Sequence, residues 1–356
     1  MSFLAAIMPG GVPDPTMPIP IEVEVMESVN QATVYRLRYN LLLESGDLPL
    51  LLESRLAPEA DIAIQVPDGD SEAVLVKGPV TAHRINIKNG VSGSIVDVLG
   101  GDYSLVMNRE NKAQIWPGPT DSSAIQSVLA AQTGIELLPD VQATTAQHTE
   151  DKHVLIQRET DLQFIRRLAQ RNGCWFWLSY ELGASGPVNA HFKSPPAADD
   201  PAAELRINVA DTNLDAVEID WDVERPAAVA LSQLDLGTRQ PIDVTETSSG
   251  LSGLASKLLA DVAPATRQSH IAVPADDSGD LSARGQGALL NADFFVQARV
   301  TVKANVLKKV VRAHSVVELV GAGSRHSGKY LVWSVNHLIK DGEHVMQVAL
   351  ARNGWN

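Results

Sequence analysis

Apolar and polar side chains alternate along several short stretches of this chain, with turn-forming residues between them. Ile21, Val23 and Val25 face one way and Glu22 and Glu24 the other. Thr33, Tyr35, Leu37 and Tyr39 alternate with Val34, Arg36 and Arg38, and Ile62, Ile64 and Val66 continue the pattern up to a PDGD turn at 67–70. Residues 73–77, 80–87 and 94–99 are further β-rich runs. A period of two buries one face of a strand. Short strands at this spacing predict a small barrel or sandwich over 21–115. Ahead of it, Pro9, Pro13, Pro15, Pro18 and Pro20 predict that residues 1–20 form an extended arm, because proline lacks the backbone donor that a helix or central strand uses.

The periodicity changes after WPGPT at 116–120. Ile125, Val128, Leu129 and Gln132 have helical spacing, with Asp121 near the start and Gly134 just past the end. Thr160-Asp161-Leu162-Gln163 fits a capping box and opens a second helix, striped by Leu162, Ile165, Leu168 and Ala169 and closed by Gly173. CWFWLSY at 174–180 then reads as a strand. After a loop at 181–204, strand pattern returns at 205–224, and 295–306, 316–320, 330–339 and 344–351 give four more strands. Between them lies a mixed stretch with one expected helix (Leu251, Leu254, Leu258, Leu259) and a Gly/Ser/Asp-rich connection at 275–288. The expected class is mainly β with some α. Two small β-barrel domains, at 21–115 and at 205–225 plus 290–356, are joined by a helix-containing linker at 116–204 and interrupted by an excursion at 226–289. No internal repeat with a sharp motif stands out.

Charge and composition narrow the function. The net charge is −14, which argues against specific nucleic-acid binding, since phosphate neutralisation needs clustered Lys and Arg. A single cysteine, Cys174, sits among Trp175, Phe176 and Trp177 with no histidine near in sequence. It reads as a small buried hydrophobe. The histidines at 83, 148, 153, 191, 270, 314, 326, 337 and 344 show no tight ligand spacing, so no metal or other cofactor is expected. There is no apolar run of membrane-spanning length and no convincing targeting signal, so membrane insertion is not expected and a soluble protein kept in the cytoplasm, at least until assembly, is.

Gly323-Ser324-Arg325-His326-Ser327-Gly328-Lys329-Tyr330 matches G-x-x-x-x-G-K. A phosphate-binding loop needs a Ser or Thr next and a helix N-terminus behind it. Here Tyr330 follows and LVWSVNHLI alternates like a strand, so the stretch reads as a hairpin connection. Residues 199–225 hold nine acids against two bases. Glu218, Asp220, Asp222 and Glu224 alternate with Val217, Ile219, Trp221 and Val223, which predicts one carboxylate face on one strand. A complementary basic row holds Arg299, Lys303, Lys308, Lys309 and Arg312, of which Arg299 and Lys303 share one face of a strand. The carboxylate face is expected to look into a lumen or its rim, the competing arrangement being that it pairs with Arg299 and Lys303 on a neighbouring strand.

Two stretches resemble a known family. TDLQFIRRLAQRNGCWFWLSYE (160–181) is similar to a segment of the phage late control protein D and VgrG hub families, through Asp161, Phe164, Ile165, Arg166, Leu168, Ala169, Gly173 and Phe176. VRAHSVVELVGAGSRHSGKYLVWSVNHLI (311–339) and HVMQVALARNG (344–354) resemble their C-terminal strands, with Gly321, Gly323, Gly328 and Tyr330 in the connecting loop. The resemblance implies a structural baseplate hub of a contractile tail or injection system. Such a hub is a homotrimer whose paired barrels make a ring of six between a tail tube protein and a threefold spike. Because the chain stops after the last hub strand, a separate spike or tip protein is expected, along with other baseplate proteins and no catalytic residues. The alternatives are a tail-associated hydrolase and a carbohydrate-binding β module.

Overall fold

In the computed structural model, described for residues 5–90, 92–116, 120–148, 154–234, 239–262, 267–272 and 278–356, the alternating segments become strands. The first are β1 (Ala6–Pro9), β2 (Glu22–Ser28), β3 (Val34–Asn40), β4 (Asp61–Asp68), β5 (Ser71–Asn86) and β6 (Ile95–Gly101). Val23 and Val25 from β2 and Tyr35, Leu37 and Tyr39 from β3 are buried, as the two-residue period requires. Part of the proline-rich arm is a strand, since β1 pairs antiparallel with β4 and ends at Pro9.

Next come α1 (Ser104–Met107), β7 (Asn111–Trp116), α2 (Asp121–Ala130), β8 (Leu137–Val141), β9 (Leu155–Thr160), α3 (Asp161–Arg171), β10 (Trp175–Ser179) and β11 (Val188–Lys193). Thr160 and Gln163 make both bonds of the capping box. The apolar stripe of α3 buries Phe164, Ile165 and Leu168 against Ile125, Val128 and Leu129 of α2 and Phe176 of β10. β7 and β9 form a two-stranded ribbon, and β10, β11 and β8 a three-stranded sheet.

The remainder comprises β12 (Glu204–Arg206), β13 (Val217–Trp221), β14 (Ala228–Leu234), β15 (Pro241–Glu246), α4 (Leu259–Val262), β16 (Gln268–Ala272) and α5 (Ser278–Asp293). β17 (Val296–Lys303), α6 (Ala304–Leu307), β18 (Val316–Val320), β19 (Gly328–Lys340) and β20 (Glu343–Arg352) complete it. Two sequence expectations are corrected here. The helix expected from Leu251 is the single turn α4, and most of the connection expected at 275–288 is the sixteen-residue α5. Glycine weakens a helix interior, so Gly285 and Gly287 made this stretch read as loop. Both are needed for packing: a Cβ on Gly287 would stand 2.4 Å from the Gln170 carbonyl oxygen, and one on Gly285 2.7 Å from Leu231. Tertiary contact overrides propensity.

The mainly-β class holds, but no sheet closes into a barrel. The two β regions are halves of one 12-stranded sheet, in which β2 of the first pairs antiparallel with β19 of the second from Glu22↔Lys340 to Ser28↔Ser334. The halves repeat one topology. The spatial order β2-β3-β6-β5-β4-β1 corresponds to β13-β17-β20-β19-β18-β12. β5 shifts register against β6 between Val80 and Ala82, and β19 shifts against β20 between Val332 and Ser334. Ahead of each bulge, a residue in the left-handed region, Glu59 (φ 67°) or His314 (φ 64°), donates its N–H to the carbonyl of Val80 or Val332. Val23-Glu24-Val25 corresponds to Val217-Glu218-Ile219, and the Glu24–Arg36 ion pair of β2 and β3 to the Glu218–Arg299 pair of β13 and β17. The units differ where β1 runs antiparallel to β4 but β12 runs parallel to β18.

Candidate functional site

A cleft of about 950 Å³ opens where the first β unit, the middle region and the loop before β18 meet. The sheet register lines up its polar wall. Trp177 lies directly opposite His191 across β10 and β11, and His191 directly opposite Asp140 across β11 and β8. His191 Nδ1 is 2.8 Å from Asp140 Oδ2, and Nε2 is 2.7 Å from Ser179 Oγ. This has the outline of a Ser-His-Asp relay. A nucleophilic serine must turn its hydroxyl proton toward the imidazole. Ser179 Oγ, however, also lies 2.6 Å from Glu181 Oε2, and two oxygens that close share a proton. Burial raises the Glu181 carboxyl, but hydrogen bonds from Ser179 and Asn189 outweigh it and hold Glu181 ionised below its ordinary value. The serine proton is therefore engaged by Glu181, and the row is a hydrogen-bonded ladder rather than a primed nucleophile. Trp177 stacks with two imidazoles, that of His191 at 4.7 Å and that of His314 at 4.6 Å.

In the wall of the same cleft, a charged cluster around buried Glu27 ties the two β units together. Glu27 of β2 accepts from Arg312 Nε at 2.6 Å and from the Ala313 N–H at 3.1 Å, and His337 Nε2 of β19 lies 3.3 Å away. Arg312 also donates to the carbonyls of Val74 and Leu75, at 2.7 and 2.9 Å. Burial works against the Glu27 charge, yet Arg312 and His337 outweigh it and hold the carboxyl down to about 2. His337 Nδ1 is 3.0 Å from His344 Nε2, and burial keeps both rings neutral, pushing His344 down to about 3. Sequence reasoning missed this cluster. Its members are spread from residue 27 to 344, and only the pairing of β2 with β19 brings them together.

The residues singled out from the sequence fall in two separate places. Around α3, Asp161 is buried and accepts from Lys112, Gln132 and Gln157 at 2.5, 2.8 and 2.8 Å. Phe164 is fully buried and stacks on Trp116. Burial pulls the Arg166 guanidinium below its ordinary value, against the opposing charge of Asp102. Gly173 ends α3, where the chain passes close to Gly287 of α5. In the other place, Gly321, Gly323, Gly328 and Tyr330 shape the connection from β18 to β19. Gly321 is in the left-handed region, and a Cβ there would stand 1.7 Å from the Ile207 carbonyl oxygen. The Tyr330 hydroxyl donates to the His326 carbonyl at 2.9 Å. The connection is a β-hairpin with no helix behind it, and Lys329 donates to the Asp199 carbonyl at 3.0 Å. Cys174 is buried, and burial pushes its thiol up to about 11. Among the described residues, which exclude His153, no three His, Cys, Asp or Glu side chains converge as a metal site would require.

The acidic and basic rows are corrected in detail. β13 ends at Trp221, so only Glu218 and Asp220 share a strand face. Both reach Arg299, at 3.6 and 3.0 Å. Asp222 and Glu224 lie beyond the strand and pair with Arg225 and Arg267. The basic row also disperses: Lys303 pairs with Glu343, Lys309 with Asp68 and Arg312 with Glu27. Lys308, in the left-handed region, Lys309 and Arg312 lie after β17, in the connection that leads through α6 to β18.

Comparison with known proteins adds the fold's relatives. The chain is similar to a tail protein from Neisseria meningitidis MC58 (TM-score 0.70, 12% identity, 99% of this chain and 97% of that one). It is similar over the whole of both chains to the 43 kDa tail protein of prophage MuSo2 from Shewanella oneidensis (TM-score 0.69, 13% identity). A component of the Escherichia coli type VI secretion system, itself similar to the T4 tail proteins gp27 and gp5, matches 97% of this chain and 76% of its own length (TM-score 0.61, 10% identity). The fold is that of tail proteins. No helix among the described residues is long and apolar enough to cross a membrane. No curated protein matches the sequence. The model of one family, the Alg8 N-terminal domain, matches residues 16–341, and the chain belongs to that family.

Proposed function

We propose that this chain is a structural baseplate hub of a contractile phage-like tail or injection particle, of the late control protein D and VgrG kind. Three copies form a ring of six β units that adapts a sixfold tail tube to a threefold spike. The observation that carries this reading is the end-to-end match of the fold to two tail proteins, one of them from a prophage, over 97% or more of each of the paired chains. The repeated β unit supports it, because two like units per chain let a threefold assembly present six similar faces. The engaged Ser179 hydroxyl supports a non-enzymatic role. The partners are the chain itself, the tail tube protein, a separate tip protein and other baseplate proteins, and assembly takes place in the bacterial cytoplasm. We assign the solvent face of β13, with Glu218 and Asp220, to the central passage. Arg299 offsets part of its charge, so the field there is weaker than an unpaired row would give. Native mass spectrometry of the chain, alone and bound to its tube and tip proteins, tests the reading. Three copies per particle are expected, and a single copy in an assembled particle refutes it.

A further inference from the structure

We propose that β13 of one copy pairs edge to edge with residues 82–88, at the end of β5, in a second copy, in the register that β2 keeps with β19 inside the chain. The number of copies rests on the hub reading above; the pairing itself rests on the repeat. Within the chain, β2 of the first unit joins β19 of the second. The counterpart of β2 is β13, and the counterpart of β19 is β5. Among the described residues no strand pairs with the far edge of β13. None pairs with the far edge of β5 at Ala82–Asn86 either, where β6 takes one side and β4 has already ended its pairing at Pro79. Each edge therefore shows water a row of backbone donors and acceptors that its counterpart spends on a neighbour.

The register follows from the shared bulge. Ala82 corresponds to Ser334, so Arg84, Ile85, Ile87 and Lys88 correspond to Asn336, His337, Ile339 and Lys340. Val217, Ile219, Asp220 and Trp221 correspond to Val23, Val25, Met26 and Glu27. Carrying the internal junction across places Asp220 opposite Arg84, Ile219 opposite Ile85, Val217 opposite Ile87 and Trp221 opposite His83.

Chemistry agrees on both faces. On the core side of the internal junction, Val335, His337 and Ile339 are 0% exposed. Ile85 and Ile87, the counterparts of His337 and Ile339, are 45% and 58% exposed, and Trp221, on the same face of the opposing edge, is 52% exposed. A core that is complete at one junction stands open at these two edges. On the solvent side of the internal junction, Asn336 donates to Glu24 at 3.0 Å. Arg84 takes the Asn336 position and Glu218 the Glu24 position, so a guanidinium meets a carboxylate pair that Arg299 alone now serves. The two edges are different surfaces, so the contact is head-to-tail, the kind from which a closed ring is built.

Cysteine cross-linking in the full chain, alone and in the assembled particle, tests the pairing. Asp220→Cys in one copy and Arg84→Cys in another place two thiols directly opposite, within disulfide reach. Asp220→Cys with Ile85→Cys is the control, one residue out of register and on the other face. We expect the first pair to cross-link at least about tenfold faster than the control, and a chain carrying both cysteines to stop at a covalent trimer. Asp220→Lys or Arg84→Glu alone should weaken association at least about tenfold, and together they should restore it. Cross-linking no faster than the control, in both settings, overturns the pairing. A trimer that forms without the cross-link overturns it and leaves the hub reading standing. A cross-linked ladder that runs past three keeps the pairing and removes the trimer.

Discussion

Arg312→Ala removes the guanidinium that pairs with buried Glu27 at 2.6 Å and that holds the Val74 and Leu75 carbonyls. Breaking a buried ion pair from one side destabilises a protein by about 3–5 kcal/mol, because the other charge stays behind unpaired. The Glu27 carboxyl gives a second measure: lowering it from 4.5 to about 2 corresponds to roughly 3 kcal/mol of net stabilisation. Burial alone acts in the opposite sense, so the attraction of Arg312 and His337 is larger than that net figure. The pH dependence follows with its sign. In the wild type the folded value lies below the unfolded one, so the contribution is complete above about pH 4.5 and is lost as pH falls toward 2. Without Arg312, burial dominates and the folded value rises above the unfolded one. The variant is then least stable at neutral pH and recovers as Glu27 takes up a proton. His337 and His344, held neutral by burial, charge at acid pH in both proteins, so the difference between the two proteins is the informative quantity. Urea unfolding of the wild type, Arg312→Ala, Glu27→Gln and the double variant at pH 7 and pH 5 reads it. Expected are a deficit of about 3–5 kcal/mol for Arg312→Ala at pH 7, a smaller one at pH 5, and partial rescue by Glu27→Gln. A deficit under about 1 kcal/mol at pH 7, or one that grows toward pH 5, refutes the reasoning.

Gly321→Ala should abolish folding or cut thermal stability sharply, since its methyl meets the Ile207 carbonyl and its backbone is left-handed, whereas Lys329→Ala should stay within about 0.5 kcal/mol of the wild type. ATP that raises the melting temperature of the wild type and not of Lys329→Ala would restore the nucleotide reading of that loop. Phe164→Ala should cost about 3–5 kcal/mol in denaturant unfolding, because a fully buried ring is removed from the core of the middle region.

What the sequence discloses follows the range of the interaction that decides each element. The capping box at Thr160 and the strands 316–320 and 344–351 are set by neighbours within a few residues, and they are where the alternation and the capping residues place them. α5 was hidden because Gly285 and Gly287 answer to Leu231 and Gln170, contacts that no local pattern records. The four-carboxylate row failed at Trp221, where the alternation continues in sequence but the strand does not. The repeat was hidden for a different reason. Its shared residues are brief, Val-Glu-Val against Val-Glu-Ile and Ile87-Lys88 against Ile339-Lys340, and each lies far from its counterpart. What the units share is pairing order, bulge position and one left-handed residue, all properties of backbone hydrogen bonding that different side chains can satisfy. The buried cluster at Glu27 depends on all of these, because it exists only where the units join.

The charges on the two open edges bear on why such a chain would not aggregate. An exposed strand edge is a template for any other edge, and short or charged edges are the usual protection. β1 and β12, at the outer ends of the two units, have four and three residues and offer little to pair with. β13 and the end of β5 are longer, and they are protected by sign. Pairing β13 with a second β13 would set Glu218 and Asp220 against their own kind, and pairing the end of β5 with itself would do the same for Arg84 and Lys88. Like charges directly opposite are destabilising in a sheet and cost several kcal/mol when desolvated at an interface. The net charge of −14 opposes encounters elsewhere on the surface. Acid against base is the combination left, and it joins different patches, which excludes the twofold dimer that a self-complementary edge would form. The alternation that makes β13 a strand thus also carries the signs that select its partner: the apolar set supplies the area to be buried, and the carboxylate set decides which edge may bury it.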